Sequence, residues 1–406
     1  MSKHWLFLVA LICFAFKPMP SFALDEVRIG NQVAQILYAK PNLNEDPIVL
    51  GALSRLLRPI HRASAWRDRS LRLVLLADSS INAFAAPGGV LGFHTGLIEK
   101  AGSSDQLASV IAHEMAHITQ RHFSRRQDAN SNSQTAYLVG TLAAIAAGVA
   151  GNASVGAAAL TTTQAAAIDQ ALAFSREHER EADRLGLELM TQAGFDPTGM
   201  SEMFATMQAD QRLSGQPLAY LSTHPLSSER VADAKNRLTN RSRNPIISGD
   251  EYQWWQRFAR NAQTRLSIEE IQNTTPAHSR IRYQLLARLH QQNENWDALD
   301  AVLKEAAFSF PHDLALGLIA SQRRSPADAM RQLERLAEHY PYVALPLTRA
   351  AQRARQLNWE PEFHYYSGLA QLRMGGIERA KEHLALVASM DSPFAAQAKA
   401  ELTALR

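Results

Sequence analysis

Between residues 46 and 122 the spacing of apolar positions switches from helical to strand-like and back. Asp46-Pro47 has the form of an N-cap and first helical position. Val49, Leu50, Leu53, Leu56, Leu57 and Ile60 then recur at helical intervals, which predicts a core-packing helix. Leu71 to Asp78, LRLVLLAD, is a short continuous apolar run and reads as a buried strand. Asn82 to Ile98 reads as strand, Pro87-Gly88-Gly89 turn, and strand. From Ser103 to His122 the helical period returns in Leu107, Val110, Ile111, Met115 and Ile118, opened by the capping-box pair Ser103 and Gln106.

The second half has a different texture. Phe174 to Met190 predicts a charged amphipathic helix with Ala182, Leu185, Leu189 and Met190 available to a core. Past Asn244-Pro245 come short, Ala-rich amphipathic helices with internal repetition. Ala287, Leu303 and Pro311 fall at tetratricopeptide positions, as do Gly317, Ala329, Leu333 and Pro341, and then Gly368, Ala380 and Leu384. The first two units are 30 residues apart, Pro393 is out of register, and Ala344 to Glu360 fits poorly, so the repeats are degenerate. Stacked helix pairs make a curved surface suited to protein partners or extended polypeptide. Trp254, Trp255, Tyr365 and Tyr366 are candidate partner-binding aromatics, although core packing is the commoner use of such residues. The expected fold is mainly α: an α+β part with a small β-sheet beside the 103–122 helix, followed by an α-helical, TPR-like repeat domain.

Composition sets the compartment. The 406 residues are 46% hydrophobic and 20% charged, as in a globular chain of two or three domains. Residues 1–23 carry a basic start at Lys3, an apolar run from Trp5 to Phe16, and small residues at Ser21 and Ala23, the pattern of a signal peptide cut after Ala23. An uncleaved anchor is the alternative, disfavoured by the shortness of the run. Cleavage removes Lys3 and Lys17 and no acid, taking the net charge from +3 to +1, so no basic excess for nucleic acid remains. It also removes Cys13, the only cysteine, which excludes disulfides, thiolate metal sites and a cysteine nucleophile from the mature chain. Ala136 to Ile168 is rich in alanine and glycine, but its continuous apolar part of about 15 residues breaks at Gly151-Asn152, short of a span. Small-residue helices near the site or a lid suit it better, with a peripheral membrane contact as the lesser alternative.

Candidate chemistry centres on His113-Glu114-Met115-Ala116-His117. Residues i and i+4 share a helix face, so both imidazoles can address one metal ion, while Glu114, one step round, can reach a water there. This is the HExxH arrangement of zinc peptidases, and a chance match on a solvated face would have no third ligand. The charged helix supplies Glu177, His178, Glu179, Glu181 and Asp183 as candidates. Glu179 and Asp183, one turn apart, can act as a ligand and the carboxylate that orients an imidazole N–H, but spacing leaves Glu177 open as well.

With Glu179-Asp183 and the later Thr223-His224-Pro225-Leu226-Ser227-Ser228-Glu229-Arg230, the chain resembles the zinc metallopeptidase family of the CAAX prenyl endopeptidases and HtpX, whose motifs are HExxH, ExxxD and HPxxxxR. Its leader and repeats make it most similar to the periplasmic, barrel-assembly-enhancing branch. The resemblance implies a zincin-like metalloprotease domain over residues 24–265 and a TPR-like domain over 266–406. It implies one Zn²⁺ per subunit held by His113, His117 and Glu179, with Glu114 as general base and Asp183 behind the ligands. Two imidazoles and a carboxylate suit zinc better than magnesium or calcium. His224 then either stabilises the oxyanion near Arg230 or takes the fourth zinc position as a latch; failing both, His224-Pro225 caps the next helix. Arg230 is equally open as an ion-pair partner of Asp183 or Glu181. The implied partners are misfolded or assembling outer-membrane proteins and their assembly machinery, with no nucleic acid; the implied location is the periplasm. The other reading is a chaperone or assembly adaptor working through the repeats with the zinc site latched.

Overall fold

The computed structural model describes residues 26–67, 71–128, 176–215, 218–237, 247–260 and 266–405. The leader expected over residues 1–23, the Ala/Gly-rich stretch 136–168 and the end of the first domain at 265 lie outside these residues. Among the described residues no helix is long and apolar enough to cross a membrane.

Helix α1 (Glu26–Tyr38) precedes α2 (Pro47–Ala63). Asp46 caps α2 as its sequence predicts, its carboxylate accepting from the amides of Ile48 at 2.9 Å and Val49 at 3.3 Å. Strands β1 (Arg72–Leu76), β2 (Ala83–Ala86) and β3 (Val90–His94) form one sheet in the order β1-β3-β2. The expected hairpin is present, β2 antiparallel to β3 around Gly88 and Gly89, whose φ of +71° and +80° explain the two glycines. β1 pairs parallel to β3, which is therefore the central strand, buried at every position.

The second hairpin strand ends earlier than its apolar run suggests. Thr95–Lys100 is a short helix, α3, that turns Leu97 and Ile98 into the core. A Cβ on Gly96 would lie 2.1 Å from the Ser79 carbonyl oxygen, and the amide of Gly96 donates to Asp78 at 2.8 Å. The chain bends there against the loop after β1, and only glycine fits.

Helix α4 (Ser104–Thr119) carries HExxH. Ser103 accepts from Gln106 N at 3.3 Å, while the Gln106 side chain reaches back one residue further than a capping box requires, to Gly102 N at 2.8 Å. α4 lies against β2 and α2, and is closed from the other side by α6 (Arg176–Ala193) and α7 (Thr198–Ser214) after the short α5 (His122–Asp128). Burial of nearly all of α4 explains its apolar run on more than one face.

Helices α8 (Ala219–Thr223), α9 (Ser228–Asn236), α10 (Gly249–Arg260) and α11 (Ile268–Thr274) lead to the C-terminal helices. These are α12 (Arg280–Gln292), α13 (Trp296–Ser309), α14 (Leu314–Arg323), α15 (Pro326–His339), α16 (Leu345–Gln356), α17 (Glu360–Met374), α18 (Ile377–Ser389) and α19 (Ala395–Ala404). Successive helices pack on one another, and α16 occupies the stretch that fits the repeat poorly. One apolar core runs from Ile48 through Leu107 and Trp255 to Leu345 and Ala370, joining α2 and α4 to the C-terminal helices. Trp254, Trp255 and Tyr366 are buried in it and Tyr365 packs against it, the packing use that was the commoner expectation.

Candidate metal centre and active site

Rotation of α4 against α6 builds the centre. Gly186 of α6 sits where a Cβ would meet His113 N at 3.3 Å, so the two helices approach closely beside the motif. The same face of α6 carries Glu179 and Asp183 inward, 1% and 7% exposed, and leaves Glu177 on the outside. Glu181 turns away to His122 at 3.1 Å and Arg125 at 2.9 Å.

His113, His117, Glu179 and His224 each aim one donor atom at a common point, all within 4.8 Å of one another and all buried. His117 Nε2 is 3.0 Å from His113 Nε2 and 3.3 Å from Glu179 Oε1. His224 Nδ1 is 3.3 Å from His113 Nε2 and 3.0 Å from Glu179 Oε1. Donors about 2.0–2.1 Å from a tetrahedral zinc stand about 3.3 Å apart, so these four separations are of the size that one such ion needs. Glu114 adds a second sign of fit. It is fully buried, and among the described residues neither carboxylate oxygen has a hydrogen-bond partner; Nε2 of the His224 ring lies 3.5 Å from Oε1. A buried carboxylate in that state is costly unless something else occupies the site with it.

The outer ring positions the ligands. Asp183 Oδ1 lies 3.0 Å from His113 Nδ1, the contact that would hold the proton on Nδ1 and turn Nε2 to a metal when one displaces the second ring proton. His117 has its Nδ1 2.9 Å from Nδ1 of His122, and His122 Nε2 reaches Glu181; His178 stacks on His122 at 4.4 Å. Arg230 donates to both oxygens of Asp183, at 2.6 and 2.8 Å, and to the Pro225 carbonyl at 2.7 Å, and lies 2.7 Å from Glu179 Oε2. Its guanidinium is thus spent on Asp183 and Glu179, not on Glu181. Tyr220, 3% exposed, stacks on His224 at 4.6 Å, and its amide donates to Ile81 O just before β2.

The electrostatics favour one positive charge at the centre. Burial opposes ionisation of Glu179 and Asp183, yet His224 and the other imidazoles hold Glu179 well below the usual carboxylate range, and Arg230 with His113 lowers Asp183. Burial also opposes a charge on His113, but Asp183 and Glu179 outweigh it and push the ring up to about 10. Burial keeps His117 well below the usual range and lifts Tyr220 well above it. The carboxylates stay ionised and leave room for a cation, a proton or a metal.

Residues 51–238 match peptidase family M48. The chain carries a family M48 peptidase domain. It is 33% identical over 228 residues to the beta-barrel assembly-enhancing protease of Escherichia coli (strain K12), covering 56% of this chain and 46% of that one. It is 31% identical over 229 residues to the protein of the same name from Yersinia pestis, covering 56% and 47%. To the mitochondrial metalloendopeptidase OMA1 of Schizosaccharomyces pombe it is 33% identical over 179 residues, covering 44% and 50%. The chain spans about half the length of the curated relatives it matches. The match to family M48 over residues 51–238 makes the buried His/Glu cluster the candidate metal centre of this domain.

Two residues of the ring escaped the sequence reading. His122 follows the motif by five positions, across the turn at Arg121, where φ is +50°. That histidine directly before a fresh helical run was the available signal. Tyr220, four residues before His224, carried none.

Proposed function

We propose that the chain is a periplasmic zinc endopeptidase, freed of residues 1–23, that degrades misfolded or stalled outer-membrane proteins. Residues 24–265 form its protease domain and residues 266–406 a TPR-like domain that docks substrates and assembly partners and gives it a chaperone role. The names of its relatives support the substrate class; the centre supports the chemistry.

His113, His117 and Glu179 would hold one Zn²⁺, which when bound would supply Lewis-acid polarisation of a peptide carbonyl and a water with its pKa lowered to about 7. Glu114 takes the proton from the attacking water and delivers it to the leaving amine, a step its burial beside the ligands prepares. Asp183 fixes the His113 tautomer, and Arg230 fixes Asp183 and Glu179. β2, an edge strand beside α4, offers main-chain hydrogen bonds to an extended substrate.

The observation that carries the regulatory half is His224 within the ligand set, stacked under Tyr220. We take His224 as a latch in the fourth position, opened by movement of residues 218–225. The experiment is zinc content and casein cleavage of the purified chain beside Glu114→Gln and His224→Ala. Zinc near one per chain, cleavage lost in Glu114→Gln and raised in His224→Ala is the expected result. Lost cleavage in His224→Ala with zinc retained makes His224 an oxyanion donor; no stoichiometric zinc in the wild type overturns the reading. The closed centre also fits an assembly adaptor that seldom cleaves, and assembly phenotypes rescued by Glu114→Gln would favour it.

A further inference from the structure

Outside the metal centre, α13, α14 and α15 line a groove of about 710 Å³. Its floor is Leu316, Gly317 and Ala320 of α14, and Leu303 and Ala307 of α13 form an apolar wall. The charges around it are one-sided: Lys304, Arg323, Arg324 and Arg335 against Asp300. That excess is local, since the whole chain carries only +3 on 42 basic residues.

These cations are unequally committed. Arg323 is held by both oxygens of Asp300, at 3.2 and 3.0 Å. Arg335 lies on the side-chain oxygen of Gln332, itself 7% exposed, at 2.8 Å. Among the described residues Lys304 and Arg324 form no ion pair, and both are exposed at the rim. Asp300 is thus spent on Arg323, Asp297 and Asp328 act on Arg323 and Arg324 only through longer-range attraction, and the cations lining this concave, apolar-floored surface outnumber the anions lining it. We propose that this groove binds acidic segments of extended polypeptide, carboxylates on Lys304, Arg324 and Arg335 and small apolar side chains on the α14 floor. Clustered Arg and Lys with an apolar base is the arrangement by which helical surfaces read acidic motifs. A nucleic acid would need free aromatic faces for its bases; of the two aromatic rings lining the groove, Phe310 has the Arg280 guanidinium 4.7 Å over it and Tyr283 packed 6.0 Å away, and His312 is stacked on His339 at 4.7 Å.

The proposal deepens the docking half of the function above and is independent of its catalytic half, because the readout is binding and not cleavage. The probe is a short labelled peptide of Glu, Ala and Leu, titrated with the full zinc-loaded chain and followed by fluorescence anisotropy. A matched peptide with Lys in place of Glu serves as control. Saturable binding of the acidic peptide, weakened by salt, is expected. Lys304→Glu with Arg324→Glu should weaken it at least about tenfold, whereas Arg349→Glu with Lys399→Glu, on other helices, should change it less than about twofold. If the double reversal lowers helix content, Lys304→Gln with Arg324→Gln replaces it. The proposal is overturned by binding that survives either groove variant, by equal loss in the distant variant, by equal affinity for the Lys peptide, or by a single-stranded oligonucleotide displacing the probe at lower concentration than unlabelled acidic peptide.

Discussion

Arg230→Ala separates a residue that holds the centre together from one that stabilises a reacting oxyanion. Arg230 is 4% exposed and gives both ends of its fork to Asp183, at 2.6 and 2.8 Å, and lies 2.7 Å from Glu179. Asp183 and Glu179 are 7% and 1% exposed, so truncation leaves two buried carboxylates without their shared counter-cation. Removing one partner of a buried pair costs about 3–5 kcal/mol, and the lost contact over Phe204 adds to it. The loss should be largest in chelated protein and smaller with zinc, because a metal at Glu179 supplies part of the missing charge. Urea unfolding of wild type, Arg230→Ala, Asp183→Asn and the double variant, each chelated and zinc-loaded, measures this. The two substitutions should couple by about 2 kcal/mol or more in the cycle. If Arg230→Ala unfolds within about 0.5 kcal/mol of wild type, keeps its zinc and yet cleaves about 10²–10³-fold more slowly, the positioning argument is wrong and Arg230 is an oxyanion donor.

Three further outcomes follow from neighbouring contacts. His122→Ala removes the ring that faces His117 Nδ1 at 2.9 Å and should weaken zinc binding about 10–100-fold in competition with a chelator; unchanged affinity would show that His117 needs no such partner. Gly186→Val puts a side chain where a Cβ already meets Met200 Cε at 3.1 Å and His113 N at 3.3 Å, and should cost about 1–3 kcal/mol in urea unfolding together with weaker zinc binding; a neutral result would mean the α4–α6 contact is slack. His339, whose Nε2 faces Arg58 Nη1 at 2.7 Å, is lowered to about 4 by burial and then by Arg58, His312, Arg280 and Arg62. Its folded pKa lies below its unfolded value of about 6.5, so its contribution is full above about pH 6.5 and is lost as pH falls toward about 4. The ring is partly exposed and solvent screening reduces the effect, so between about pH 7 and pH 5 wild type should lose about 0.5–1 kcal/mol more than His339→Gln; equal losses would refute the assignment.

What the sequence disclosed of this fold was what neighbouring residues decide among themselves. Asp46-Pro47 and Ser103 placed two helix starts because a cap is a contact within three residues. The turn at Gly88-Gly89 placed a hairpin for the same reason. The parallel partnership of β1 with β3 had no such local mark, since a buried apolar strand can sit beside either member of a hairpin. Leu97-Ile98 was read as strand because two apolar residues have no period, and the bend was fixed by Gly96 against Ser79, a contact outside the run. The choice of Glu179 over Glu177 depended on how α6 is rotated, and the clue lay further along the same helix. Ala182 and Gly186 are small residues in a charged stretch, and with Glu179, Asp183 and Met190 they form one stripe at i, i+3, i+4, i+7 and i+11, every member buried. A stripe of small residues on a charged helix marks where another backbone comes close, and here that backbone is His113. Carboxylates on the stripe must face the motif, and Glu177, two positions before Glu179, is carried to the other side. For charged helices in chains of this kind the placement of Gly and Ala is therefore a better guide to the inward carboxylates than the charges themselves.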